Sequence, residues 1–435
     1  MTVTETVLGI TRVHESRAAN TFRFTADPPV FLRGDGPWLF DDRGRKWLDL
    51  VCGSATSNIG HNHPAHIAAL QETLATGILH TGTRLPSPFR ARLYEELVSI
   101  LPEELSCIQL ANSGAEAVEA AIKAAQYATG RKRLISFEGG YHGRTIGSLS
   151  LTDGGSIREP FSVLHGLVDL LPYPGSPGTG SDEADTCLRR LSDRLEELGR
   201  IGDLPAALVV EAIQGVSGVL SPPAEFLSGI RDLARRHGVL MVCDEIWCGF
   251  GRAGSWFSFE NTGVVPDMVT MGKAMSGGLP LSAVAAPPEV LKAWPPGMHT
   301  STFQGNPLAC NMAVATIRTI RGDDLLAHVE QTVEPVLERV LRPLDALERI
   351  CGVRVAGAQA AVDIVDRDGK PDRETALHLQ SAVHSRRILI YLGGRCGNSL
   401  MFVPPINIDG APLSEGLEKA VRLITDELGT GRQHL

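Results

Sequence analysis

The residues best suited to chemistry stand at the ends of apolar runs. In DMVTMGKAMSGGLP, residues 267–280, the first five residues read as a short buried strand, and Lys273 follows between Gly272 and Ala274. A lysine there is either a solvated loop residue or an amine held against a ligand. Asp244 and Glu245 close the apolar run VLMVC. A carboxylate leaving a core strand needs a partner, because burying it unpaired is costly. Ser113, Gly114, Ala115 and Glu116 follow CIQLAN and open an Ala-rich helical segment. Small residues at such a turn leave backbone N–H groups uncovered at a helix N-terminus, which suits a phosphate. The alternative is a plain N-cap by Ser113 with Glu116 completing a capping box, and both can hold at once. Tyr141 and His142 follow RLISFEGG, where a ring can stack on a flat cofactor or simply fill a core.

The elements that must position these residues alternate along the chain. CIQLAN, RLISFEG, AALVVEAI, VLMVCDEI and DMVTMG read as strands, with amphipathic stretches such as GAEAVEAAIKAAQYATGR and PPAEFLSGIRDLARRHG between them. Such alternation predicts an α/β fold with a mostly parallel central sheet and helices on both faces. In such sheets ligands gather beyond the carboxyl ends of the strands. Near residues 321–330 the pattern changes to long helices, then to short strands, ending in the helix SEGLEKAVRLITDEL. This predicts a large domain over 59–325 and a smaller α+β domain from both termini, 1–58 and 326–435. The Gly/Pro/Ser stretch 172–185 reads as a surface loop.

Composition narrows the class. A chain of 435 residues suits two lobes, and 43% hydrophobic with 21% charged residues is ordinary for a soluble globular protein. The net charge of −9 argues against nucleic acid as the main partner. No apolar run of about 18 residues and no signal-like start is present, so neither a membrane span nor secretion is expected. The eight cysteines are scattered without a Cys-x-x-Cys, which fits a reduced cytoplasmic setting. His61 and His63 have ligand-like spacing but no third ligand nearby, so no metal is expected. GFGRAG, Gly249 to Gly254, matches a dinucleotide fingerprint, yet no helical pattern follows it and two acids separate it from the strand. It reads as an ordinary glycine-rich loop. A Walker-type Gly-x-x-x-x-Gly-Lys is absent, so Lys273 is not a P-loop lysine.

A phosphate seat, a stacking ring, a strand-end carboxylate and a strand-end amine together meet the needs of pyridoxal 5′-phosphate. Backbone donors suit its phosphate, a carboxylate keeps its pyridinium nitrogen protonated, and a lysine can bond its aldehyde as a Schiff base. The chain resembles the class III (ω-type) aminotransferases of fold type I over nearly its whole length. The resemblance is carried by GPWLFDDRGRKWLDL, GHNHP, ANSGAEAVEAAIKAA, GGYHGRTIGSLSLT, VVEAIQG, VCDEIWCGFGRAG, PDMVTMGKAMSGGLPLSAV and STFQGNPLACNMA. It implies that Lys273 is the Schiff-base and proton-shuttling lysine and that Asp244 pairs with the pyridinium nitrogen. It implies further that Ile246 packs under the ring, Tyr141 stacks over it and His142 lies beside them. Ser113, Gly114 and Ala115 would hold the phosphate. Thr302 matches a threonine that reaches the phosphate from the other subunit, which implies a homodimer with shared sites.

Departures from the family bear on substrate. Relatives acting on α-amino acids often carry an acid just after IQG and an arginine just before Phe-x-Pro-Pro, a gate for the α-carboxylate. Val216 and Met401 stand at those places. Arg144 matches an arginine that clamps a substrate carboxylate in some relatives, Arg395 is a second candidate, and Trp247 replaces a residue that is commonly Gln. The expectation is a transaminase moving an amino group from glutamate or a similar donor. Its partner substrate lacks an α-carboxylate, such as an amino sugar of aminoglycoside antibiotic biosynthesis. The alternatives are an ω-amino acid (4-aminobutyrate-type) transaminase, with Arg144 as clamp, and a racemase or epimerase. The last would need a second acid where Val216 stands.

Overall fold

The computed structural model describes residues 3–19, 28–154, 157–161, 166–175 and 183–429; residues 176–182 of the expected surface loop lie outside them. Contacts divide the chain into two compact lobes, Ala65–Ala327 and Met1–Pro64 with His328–Leu435.

The N-terminal part of the smaller lobe supplies β1 (Phe31–Asp35), β2 (Trp38–Asp41) and β3 (Lys46–Asp49). In that lobe His61 Nε2 is bonded to the Asp49 carboxylate at 2.8 Å. The larger lobe is built on β4 (Cys107–Ala111), β5 (Leu134–Phe137), β6 (Val168–Leu171), β7 (Ala207–Val210), β8 (Leu240–Asp244), β9 (Met268–Met271) and β10 (Ser282–Ala286). They form one seven-stranded sheet in the order β4-β10-β9-β8-β7-β5-β6. β5 through β9 pair in parallel, and β10 alone runs antiparallel to both its neighbours. The carboxyl ends of β4, β5, β7, β8 and β9 therefore share one edge. β5, β7, β9 and β10 are buried at every residue, as expected of strands covered on both faces. The helix Gly114–Thr129 packs a continuous Ala face, Ala117, Ala120, Ala121, Ala124 and Ala125, into this core. Small side chains let its axis approach the sheet closely.

The C-terminal part of the smaller lobe carries β11 (Ile350–Val355), β12 (Ala360–Ile364), β13 (Ile388–Leu389), β14 (Tyr391–Gly393) and β15 (Ser399–Phe402). β13 pairs in parallel with β3, tying the N-terminal segment to the C-terminal one. β11-β12-β15-β14 form an antiparallel sheet. The expected long helix after residue 321 is a helical run from Leu325 to Ala346 with a widened π turn at Val329–Val333. Pro335 lies just beyond that turn. It has no N–H to donate and crowds the carbonyl four residues back, which such a turn relieves. GFGRAG forms turns and no helix follows it directly, as the reading of an ordinary loop requires. Among the described residues no helix is long and apolar enough to cross a membrane.

Candidate active site

The larger lobe brings Ser113, Tyr141, His142, Asp244 and Lys273 to the carboxyl ends of its strands. β4 ends at Ala111, and the helix Gly114–Thr129 starts three residues later with Ser113 as N-cap, its hydroxyl accepting from the Glu116 N–H at 3.3 Å. The Glu116 carboxylate does not return to the N-cap N–H. It accepts instead from the backbone and side-chain N–H groups of Asn112, both at 2.9 Å. The capping box is thus shifted by one residue, and the N–H groups of Gly114 and Ala115, which have no intrahelical acceptor, are left for an anion. Gly114 is also required by space: a Cβ there would stand 2.9 Å from Ile246 Cγ2.

Asp244 ends β8 and is 5% exposed. Its Oδ2 is bonded to His142 Nδ1 at 2.7 Å, and its Oδ1 accepts from the Ile246 N–H and the Thr270 hydroxyl, each at 3.1 Å. Burial works against charge on His142, but the bond to Asp244 and the charges of Asp244 and Glu211 outweigh it, so its pKa lies above the ordinary value. The imidazole in turn fixes the orientation of the Asp244 carboxylate. His142 therefore acts on the carboxylate. Glu211, one residue past β7, completes the group by accepting from the Tyr141 N–H at 2.9 Å. Burial, first among its causes, raises the Glu211 pKa to about 7, against the pull of His142 and Lys273. Glu211 carries in the sequence the same signal as Asp244, an acid straight after a run of apolar residues, and only the fold shows its role.

Lys273 starts a short helical turn two residues past β9 with φ +42°, in the left-handed region that costs a non-glycine residue of the order of 1 kcal/mol or more. Burial lowers the amine's pKa, while Asp244 and Glu211 pull it back upward. Ile246 is 9% exposed and touches the helix start at Gly114. Trp247, 5% exposed, turns its ring toward Lys273, with Nζ 4.7 Å from the ring centroid.

The remaining expected residues are more scattered. Thr302 is exposed, with its carbonyl accepting from His80 Nε2 at 2.6 Å, and its neighbour Ser301 is tied to Asn112 Nδ2 at 2.7 Å. Arg144 is exposed, its guanidinium carbon 5.9 Å from the centre of the Tyr141 ring. Arg395 belongs to the other lobe, exposed in the turn between β14 and β15. Met401, in that lobe, is fully buried in β15 opposite Ala361 and Tyr391.

These residues fit pyridoxal 5′-phosphate. The uncovered N–H groups at the helix start, the buried Asp244 carboxylate and the amine of Lys273 match its phosphate, ring nitrogen and aldehyde. Known proteins agree. The family profile "Aminotransferase class-III" matches residues 25–424. The chain is 35% identical over 417 residues to the diaminobutyrate–2-oxoglutarate aminotransferase of Haemophilus influenzae, covering 92% of this chain and 91% of the relative. It is 36% identical over 339 residues to the acetylornithine aminotransferase of Methanopyrus kandleri, covering 78% and 82%. Among solved structures, an (S)-enantioselective ω-transaminase from Thermomicrobium roseum superposes with a TM-score of 0.89 at 28% identity, over 98% of this chain and 99% of that one. A taurine:2-oxoglutarate aminotransferase from Bifidobacterium kashiwanohense, solved with pyridoxal phosphate and glutamate, gives 0.89 at 25% identity, over 98% of each. The chain belongs to the class III aminotransferases, fold type I enzymes that work with pyridoxal 5′-phosphate.

Proposed function

We propose that the enzyme exchanges the terminal amino group of an ω-amino or diamino acid with an oxo acid, Arg144 clamping the carboxylate remote from the reacting carbon. The observation that carries this reading is the placement of Arg144, an exposed cation beside the Tyr141 ring. The positions expected to gate an α-carboxylate hold Val216 and Met401 instead. The Haemophilus relative is named for diaminobutyrate and 2-oxoglutarate and the Methanopyrus relative for acetylornithine, which makes 2-oxoglutarate the first acceptor to try.

When bound, pyridoxal phosphate supplies an electron sink that acidifies the carbon–hydrogen bond beside the amine. The chain's residues do the rest. Asp244, oriented by its bond to His142, would pair with the protonated ring nitrogen. Gly114 and Ala115 would hold the phosphate, and Ile246 and Tyr141 would flank the ring. Lys273 Nζ takes the proton from the substrate carbon and holds it for return, which its lowered pKa suits.

A second reading, an amine lacking an α-carboxylate such as an amino sugar, is favoured by the apolar Val216 and the buried Met401. One experiment separates the two: the visible spectrum of the yellow, cofactor-loaded protein after adding 2,4-diaminobutyrate, 4-aminobutyrate, glutamate or an amino sugar singly. Bleaching by the terminal amines, with a raised requirement for them in Arg144→Ala, is the expected result. Bleaching by the amino sugar alone replaces the first reading with the second.

We infer also a homodimer with shared sites. Thr302 is exposed beside Phe303, and the large apolar side chains Phe303, Leu79 and Leu85 are 65%, 57% and 57% exposed. Such surface is usual for an interface. A monomer in light scattering that retains full activity removes this inference.

A further inference from the structure

Gly215 and Trp247 form a matched pair in the larger lobe. A Cβ on Gly215 would collide with the indole of Trp247, so the absence of a side chain at 215 is what lets the ring lie where it does. The indole is buried, and one face is turned to Lys273 with Nζ 4.7 Å from the ring centroid, well within the range at which a ring attracts a cation. The other charged groups acting on this amine are Asp244, from the end of β8, and Glu211, from the end of β7, with the Cys248 thiol also near. Asp244 is shared with His142 at 2.7 Å, so its charge is already engaged. Glu211 titrates near neutrality and gives a charge that varies with pH. The indole face does not titrate.

We propose that Trp247 is a positioning residue for Lys273, its face aiming the unbonded amine across the site and favouring the ammonium that Nζ becomes once it has taken a proton. The ring face thereby steadies the proton after Nζ has taken it, with less dependence on the state of Glu211. It also confines a long, flexible side chain to the arc that faces the ring. This role is independent of which substrate the enzyme takes, so failure of the substrate reading leaves it untouched.

The test uses the full-length enzyme loaded with pyridoxamine 5′-phosphate, the cofactor form to which Lys273 is not bonded. Acetic anhydride, which acylates neutral amines, is applied in trace amount from pH 6 to 10, and the Lys273 peptide is quantified by mass spectrometry. The exposed Lys132 in the same digest serves as reference. Trp247→Leu is expected to move the labelling midpoint of Lys273 down by about one pH unit, and Trp247→Phe, with a weaker aromatic face, by less than half as much. The Lys132 midpoint stays in place. A Lys273 midpoint that is unchanged or raised in Trp247→Leu overturns the proposal. So does a Trp247→Phe shift as large as that of Trp247→Leu, since volume rather than the ring face would then be responsible. If Trp247→Leu does not fold, Trp247→Phe decides alone: its midpoint must still fall below that of wild type, and an unmoved value overturns the role.

Discussion

The two ends of the seven-stranded sheet handle charge in opposite ways. At the amino ends, Arg133 precedes β5 and reaches Asp203 at 2.6 Å and Asp169 at 3.4 Å, while Arg194 meets Asp169 at 3.1 Å. Arg231 meets Asp267 at 2.5 Å, and the same carboxylate accepts from the Met241 N–H at 2.7 Å. Guanidinium and carboxylate are matched there, and both partners keep some contact with solvent. At the carboxyl ends, Asp244, Glu245, Glu211 and His142 are all at most 5% exposed. Glu211 and Glu245 are pushed up to about 7 by burial, and the Lys273 amine is pushed down. Paired charges near water tie strands to helices at little cost. Buried charges of mixed sign, shifted toward neutrality, are expensive for the fold and useful for moving protons. One sheet thus carries a structural edge and a chemical edge.

The most severe break of this contrast is at Lys273. Lys273→Ala should lower turnover by about 10⁴-fold or more, because both the covalent anchor and the proton carrier vanish. The fold should persist, and equilibrium dialysis should still detect cofactor held by the phosphate seat. Near-normal turnover would mean that another group moves the proton. Asp244→Asn comes next, with an expected loss of the order of 10²- to 10³-fold, since a neutral amide no longer stabilises the ring nitrogen's charge. His142 should lose its raised pKa in the same variant, visible by NMR as a move of its imidazole titration midpoint to lower pH. Full activity with an unmoved His142 would show that the carboxylate is structural.

Glu245 sharpens the contrast within a single strand end, because it is adjacent to Asp244 yet serves the fold. Its carboxylate accepts from the Ser258 N–H at 2.9 Å, the Ser258 hydroxyl at 2.7 Å and the Phe259 N–H at 3.0 Å, closing the glycine-rich loop. With a folded pKa near 7 against an ordinary 4.5, the folded protein keeps this proton where the unfolded chain has lost it. The associated stability is complete below about pH 4.5 and is lost as pH rises through about 7. Glu245→Gln cannot titrate. Its stability deficit against wild type should be largest near pH 5 and should shrink by pH 8, as read from urea midpoints. A deficit constant across that range would remove the shifted proton from the account.

Much of this arrangement was legible in the chain because strand-end chemistry is local. Asp244 follows an apolar run directly, Lys273, Ser113 and Tyr141 stand within four residues of one, and the alternation of runs and amphipathic stretches indicates which edge they share. What escaped the sequence depends on distance along it. His142 and Asp244 are 102 residues apart, and nothing local says that the imidazole serves the carboxylate instead of the cofactor ring. The match of Gly215 to Trp247 looks, from either residue alone, like a turn glycine and a packing aromatic. The left-handed backbone at Lys273 is equally silent, since the tight glycines around it draw attention away from the lysine's own φ. Glu211 stands straight after an apolar run, but its shift toward 7 arises from burial and three charged neighbours that only the folded lobe assembles.

The smallest expected effect lies at the structural edge, and it is the one that tests whether the two edges are independent. In Asp203→Asn, Arg133 keeps Asp169 at 3.4 Å and the Gly166 carbonyl at 3.1 Å, and the asparagine retains one acceptor oxygen. The Asp203 side chain is 42% exposed against 13% for Arg133, so water replaces part of what is lost. A partly exposed pair of this kind is worth under about 1 kcal/mol, and raising salt should shrink the difference further. The unfolding midpoint should therefore fall slightly at low ionic strength and converge with wild type at high salt, while kcat and KM stay unchanged. A tenfold loss of kcat without loss of stability would mean that strain at the amino ends reaches Asp244 and Lys273 through the length of β5, β7 and β8. The sheet would then have to be treated as a single coupled element, because close-packed strands transmit displacement where they cannot absorb it.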